Sequence, residues 1–267
     1  MTNVHPFDVQ LNDVGYRYFR HEAVRGVTAD IEAGKITGLL GRNGSGKTTL
    51  EMLIAGQMRA TGEIIVAGER VWENPRVMPN IAFVSDDPAI FKESRLTATI
   101  DLWKRARPTF RADIVESLLD AWEIPLKKAP AKLSRGQKSA FFAALGIASR
   151  SPLTIFDEVH LGMDAVLRRD FYDVLLQDFI AHPRTIIISS HNVDEIEDLI
   201  ENVLIMDEGR LVASGSADDV RAQYSSPGRV ASLTDVLAAV DKRRTGSEAL
   251  LALGDTTALG ETTASGR

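Results

Sequence analysis

Ile36-Thr37-Gly38-Leu39-Leu40-Gly41-Arg42-Asn43-Gly44-Ser45-Gly46-Lys47-Thr48 is the stretch on which the fold turns. Its first five residues are a short apolar run between Gly34-Lys35 and Gly41, the pattern of a fully buried strand. Gly41 to Thr48 matches G-x-x-x-x-G-K-[ST] in full. From Lys47 onward the pattern turns helical, with Leu50, Leu53 and Ile54 at helix spacing and Gly56 placed as a C-terminal stop. Strand, glycine-rich loop and helix in that order make a phosphate cradle. The glycines let backbone N–H groups turn inward around phosphate oxygens, and the new helix adds its positive end. Gly41, Arg42, Asn43, Gly44, Ser45, Gly46, Lys47, Thr48 and Thr49 are therefore candidates for binding ATP. Lys47 would reach the β- and γ-phosphates and the Thr48 hydroxyl would bind Mg²⁺.

Upstream of this loop the chain reads as strands: Val9, Leu11, Val14, Tyr16 and Tyr18 first, then Val24 to Ile31 after the turn-like Phe19-Arg20-His21-Glu22. Downstream, Gly62–Val66 and Ile81–Val84 are again strand-like. Residues 95–149 carry helical patterns at Thr97–Ala106, Arg111–Trp122 and Ser134–Arg150, broken by Pro108, Pro125 and Pro130. Strand and helix then alternate through Leu153–Phe156, Ala165–Ile180, Thr185–Ser189 and Val193–Ile200. Val203–Met206 and Arg210–Ala213 follow, around the hairpin signal Asp207-Glu208-Gly209. The alternation predicts an α/β fold: a P-loop NTPase core with a mostly parallel sheet, an N-terminal antiparallel β subdomain and an inserted helical subdomain over about 87–150. Residues 225–267 break the pattern. Ala231–Val240 and Glu248–Leu253 suit short helices, and Gly254–Arg267 suits a flexible tail.

A second chemical signal is Leu153-Thr154-Ile155-Phe156-Asp157-Glu158. An apolar strand here delivers two carboxylates at its C-terminal end, where open α/β sheets place their ligands. Asp157 suits the Mg²⁺ sphere, and Glu158 suits a base that polarises the attacking water. The whole-chain arithmetic is compatible with this. Among 267 residues, 31 basic and 37 acidic side chains leave a net charge of −6, which argues against a nucleic-acid binder. The absence of cysteine excludes disulfides, thiolate metal sites and cysteine nucleophiles. No apolar run approaches the roughly 18 residues of a bilayer span, and Met1–Gln10 does not read as a signal peptide. A soluble intracellular protein is the expectation.

The third signal, Leu133-Ser134-Arg135-Gly136-Gln137 before a helix, reads on its own as an N-cap at Ser134. With the two preceding signals, it makes the chain resemble the ATP-binding subunit of an ABC transporter over about residues 7–224. That family's signature is Leu-Ser-Gly-Gly-Gln, and four of its five residues stand here in order, 87 residues after Lys47 and 23 before Asp157. The resemblance implies further roles. Tyr18 matches the aromatic residue that stacks on adenine, with a core-facing strand aromatic as the alternative and Tyr16 as a neighbour of the same type. Asp164 matches the D-loop residue that couples the two sites of a dimer, with a plain N-cap as the alternative. His191 matches the switch histidine at the γ-phosphate. Ser134, Arg135, Gly136 and Gln137 would meet the nucleotide of the other chain. Two positions depart from the pattern. Asp86 stands where the Q-loop glutamine is expected; its carboxylate can bind Mg²⁺, and its charge would weaken nucleotide affinity or alter coupling. Arg135 replaces the first signature glycine, with its backbone N–H still available.

The resemblance implies a motor subunit at the inner face of the cell membrane, held there by a transmembrane permease subunit. It would work as a homodimer, or as a heterodimer with a second cassette, without nucleic acid. Asp86 and Arg135 resemble subunits of exporters more than of importers. Three other readings compete. DNA-repair ATPases of this type carry long coiled coils between loop and signature, which 87 residues without heptads do not hold. Ribosome-associated members usually carry two cassettes. A non-hydrolysing sensor would not need Glu158 and His191.

Overall fold

The computed structural model describes residues 5–85 and 93–240. Asp86 and the expected features of Glu248–Leu253 and Gly254–Arg267 lie outside the described residues. The elements run β1 (Val9–Tyr18), β2 (His21–Ile31), β3 (Ile36–Leu40), α1 (Lys47–Ile54), β4 (Thr61–Val66), β5 (Glu69–Arg70) and β6 (Ile81–Ser85). They continue with α2 (Leu96–Ala106), α3 (Ala112–Ala121), α4 (Arg135–Ser149), β7 (Leu153–Asp157), α5 (Ala165–Ala181) and β8 (Thr185–Ser190). The last are β9 (Asn202–Asp207), β10 (Arg210–Ser216), α6 (Ala217–Tyr224) and α7 (Leu233–Val240).

Two sheets result. One is antiparallel, in the order β2-β1-β4-β5; the other has the order β10-β9-β3-β8-β7-β6 and is parallel except at β10. Alternation along the central strands feeds two cores. Leu39, Ile155, Ile187 and Leu204 pack with β1, β2, β4 and the Leu50, Leu53 and Ile54 face of α1. Their neighbours Leu40, Phe156, Ile186, Ile188 and Ile205 pack on the opposite side against the helices. Both faces of the central sheet are covered, which is why its strands read as unbroken apolar runs.

Register does most of the positioning. Leu40 lies beside Ser190, and Asp157 lies beside Ser189. The C-terminal ends of β3, β8 and β7 therefore sit in one row. The next residue of each strand, Gly41, His191 or Glu158, leaves the sheet at the same edge. In the helical part, α2 buries Leu96, Thr99, Ile100 and Trp103 at helix spacing. Helix α4 is buried all along Ser139–Ser149 and shares a core with both α3 and the central sheet.

One expectation needs correction. Val193–Ile200 is not a helix: the structure has a single 3-10 turn over Val193–Glu195, followed by further turns. Val193, Ile196 and Ile200 are buried as helix spacing foretold. Between them, however, Asp194, Glu195 and Glu197 reach out to other elements, to Thr234, Arg168 and Arg221 respectively. Helix α6, in turn, was not foreseen. Ser216 caps it by accepting from the Asp219 N–H, and only Ala217 and Val220 are buried, too small an apolar face to show in the pattern.

Candidate nucleotide site

The loop after β3 is held by its backbone. Gly46 has φ +104°, and a Cβ there would meet the Ala23 carbonyl oxygen at 2.3 Å. At Gly41, φ is +144° and a Cβ would meet the Met206 carbonyl oxygen at 2.4 Å. Both positions thus require glycine, through conformation and through space. The loop closes on itself through Ser45 N–H to Arg42 O and is tied to the β9–β10 turn through Gly209 N–H to Ser45 O.

Beside the loop lies a cleft of about 250 Å³, lined by Tyr18, His21, Ala23, Asn43, Gly44, Gly46, Lys47, Thr48, Thr49 and Glu158. Lys47 is only 5% exposed. Its Nζ donates to Gly41 O at 2.7 Å and to Arg42 O at 3.3 Å, and lies 3.3 Å from Glu158 Oε1. His191 Nδ1 is 3.5 Å from that same oxygen. The Thr48 hydroxyl donates to Asp157 Oδ1 at 3.0 Å. One hydroxyl and one carboxylate oxygen meet beside a glycine cradle and a buried lysine. This is the donor set that suits Mg²⁺ when phosphate oxygens and water complete its sphere, so the residues fit both nucleotide and ion. Glu158 has a backbone φ of +47°, a left-handed conformation that costs a non-glycine residue about 1–2 kcal/mol. Its N–H donates to Ser189 Oγ at 3.2 Å.

Tyr18 is 41% exposed and lines the cleft. Its hydroxyl donates to Met58 Sδ, and its ring meets Tyr16 edge-on at 4.8 Å. Tyr16 packs instead against the core under the antiparallel sheet. Ser134, Arg135, Gly136, Gln137 and Asp164 are not brought to this cleft. Ser134 caps α4 in a capping box with Gln137, and Asp164 caps α5 by accepting from Val166 and Leu167 N–H. These two segments instead meet each other. The Ser139 hydroxyl donates to Leu161 O at 2.6 Å, and a Cβ on Gly136 would lie 2.6 Å from Gly162 O.

His21 and Ala23 of the cleft wall escaped the sequence reading, and so did Glu51 and Ser189 behind it. Glu51, on α1 one turn beyond Lys47, is fully buried. Ser189 Oγ lies 3.3 Å from Glu51 Oε2 and 3.2 Å from Asp157 Oδ1, so one hydroxyl bridges two carboxyls and the Glu158 backbone. Burial first, and then the charge of Asp157, holds the Glu51 carboxyl well above the usual carboxylate range; Ser189 and Lys47 pull the other way. Asp157 is raised less, by burial, against hydrogen bonds from Glu51, Thr48 and Ser189. The site therefore favours the neutral form of Glu51 more than water does. The only sequence sign was a carboxylate interrupting Leu50-Glu51-Met52-Leu53.

The linkage has a definite sign. A carboxyl whose folded pKa lies above the unfolded value contributes its stability below the unfolded pKa, here 4.5. It loses that contribution as pH rises through the folded pKa. Glu51→Gln, which cannot ionise, is expected to gain stability relative to the parent as pH rises above 4.5. Melting curves of both proteins in a chelator, without nucleotide, check this; parallel curves would contradict a raised Glu51 carboxyl.

The family model described as ABC transporter matches residues 24–160. The ABC transporter ATP-binding protein YtrB of Bacillus subtilis is 29% identical over 217 residues, 81% of this chain and 74% of that protein. A sulfate/thiosulfate import ATP-binding protein of Mesorhizobium japonicum is 30% identical over 230 residues, 82% of this chain and 66% of that one. This chain therefore spans about two-thirds to three-quarters of these relatives' length. A solved ATP-binding subunit of an ABC transporter superposes with a TM-score of 0.76 at 26% identity, over 88% of this chain and 99% of that one. With the glycine loop, the Asp157–Glu158 strand end and His191 gathered at one sheet edge, the chain belongs to the ABC transporter family, as one of its ATP-binding ATPase subunits.

Proposed function

We propose that the chain is the motor of a multi-chain transporter, coupling ATP-driven closure of a dimer to substrate movement through a separate transmembrane permease. The observation that carries this is that Lys47, Thr48, Asp157, Glu158 and His191 come within contact of one another at three adjacent strand ends, with Lys47, Thr48 and Glu158 lining the cleft. Lys47 now pairs with Glu158; on ATP binding it turns to the β- and γ-phosphates and releases the carboxylate. Glu158 then accepts a proton from the attacking water, and His191 holds the γ-phosphate end. Thr48 and Asp157 would hold Mg²⁺, which when bound would neutralise phosphate charge. Asp86 would be a further oxygen donor to the ion. The loop amides and Lys47 stabilise the transferring phosphoryl group, so catalysis is mostly electrostatic. Tyr18 stacks on the base.

Ser134–Gln137 and Asp164 lie outside their own chain's cleft, which supports a head-to-tail dimer. In it, residues 41–49 of one chain face residues 134–137 of the other, an identical copy or a homologous cassette. Residues 7–224 form the cassette, and its helical part, about 87–150, receives the permease. No helix among the described residues is long and apolar enough to cross a membrane, in keeping with attachment at the inner membrane face through that partner. Arg135 and Asp86 support export. The relative named for sulfate/thiosulfate import supports the other direction, and flux into or out of vesicles holding the permease with this subunit decides between them.

The dimer is tested by sizing Glu158→Gln with and without Mg²⁺-ATP. ATP is expected to move the variant from monomer to dimer; a monomer at saturating ATP would refute the head-to-tail arrangement.

A further inference from the structure

The stretch after His191 is anchored from outside the nucleotide site. Asn192 Nδ2 donates to Glu195 Oε1 at 2.6 Å, and Arg168 of α5 pairs with the same oxygen at 3.1 Å. On the other side stands α7. The Thr234 hydroxyl donates to Asp194 Oδ1 at 2.6 Å, and Leu233 N–H donates to Glu197 Oε1 at 3.2 Å. Arg221 of α6 also reaches Glu197 Oε1, at 3.1 Å. Leu233 and Val236 are fully buried and share a core with Val193 and Ile196. Helix α7 is capped locally as well, since Asp235 N–H donates to Ser232 Oγ and Ser232 N–H donates to Asp235 Oδ2. Its first turn thus presents two donors to two carboxylates of the turn that follows His191. Negative charge at a helix N-terminus is also favoured by the helix dipole.

We propose that α7 is a clamp on the segment after His191, and that Thr234 and Glu197 are positioning residues for ATP hydrolysis. The reach is short. Asp194 stands three residues from His191, and a hydrogen bond to an ionised group is among the stronger ones. A segment held on both flanks, by α5 and by α7, presents the imidazole in one place; released on one flank, it samples several. The clamp acts on the chemical step, because neither Thr234 nor Glu197 lines the nucleotide cleft. This inference rests on the reading of His191 as the γ-phosphate contact.

The test uses the full chain with Thr234→Val, Glu197→Gln and their combination, with Thr234→Ser as the conservative control. The double variant is expected to lower kcat about five-fold with KM for ATP nearly unchanged, the pattern of an interaction made only in the transition state. Hydrogen exchange of backbone amides 191–197 should speed up in the same proteins, and Thr234→Ser should keep both properties near the parent. Unchanged exchange at 191–197 would overturn the clamp, as would an unchanged kcat with faster exchange. His191→Ala in the same assay separates the two readings. If it leaves kcat intact the role of His191 fails, while the exchange measurement still judges the clamp.

Discussion

Replacing Glu158 by Gln is expected to slow ATP hydrolysis by about 10²–10⁴-fold, the usual contribution of a positioned base. The amide keeps the size of the carboxylate and can still accept a hydrogen bond, but it takes no proton from water. Three observations concentrate the effect on this residue. Its oxygen is the meeting point of Lys47 Nζ and His191 Nδ1, at 3.3 Å and 3.5 Å. Its N–H is pinned by Ser189. Its place one residue past the end of β7 is fixed by the sheet register. ATP binding should survive, because the loop and Lys47 are untouched. Phosphate release and nucleotide titration on the same preparation check both halves. A variant that hydrolyses at the parental rate would remove Glu158 from the mechanism.

Lys47→Ala is expected to weaken ATP binding by at least about 100-fold, from the loss of a charge-assisted contact to two phosphates worth about 3 kcal/mol. The buried setting makes the loss larger than at a surface. Lys47 is 5% exposed and the alanine leaves Glu158 Oε1 without its cation, so the site carries unbalanced negative charge where triphosphate must enter. Titration with a fluorescent ATP analogue reads the effect. Tight binding by the variant would refute the assignment of the loop.

The division between what was legible in the residues and what was not follows physical lines. Gly41–Thr49 could be read because strand, loop and helix are local, and each leaves its own period. Asp157 and Glu158 could be placed because they end an apolar strand and parallel strands end at one edge, whereas His191 was singled out only by resemblance. Glu51 and Ser189 could not. A lone carboxylate in a short helix reads as solvent-facing, and only the fold shows that α1 is closed in between two sheets. Val193–Ile200 misled because its three buried apolar residues keep helix spacing while Asp194, Glu195 and Glu197 serve α7, α5 and α6, none of them near in sequence. Tyr18 and Tyr16 were inseparable by pattern and are separated by burial. The proposed pairing of Ser134–Gln137 with another chain comes only from resemblance, since no period within one chain encodes its partner.

The left-handed backbone at Glu158 bears on how such a site can decay. Glycine would relieve that conformation, and by the same argument asparagine would fit it better than glutamate does. A lineage that drifted away from hydrolysis would thus be rewarded at this position with a firmer fold, while a lineage that hydrolyses must keep resisting that drift. Among paired cassettes where one member is silent, the silent one should therefore be the more heat-resistant at this strand end.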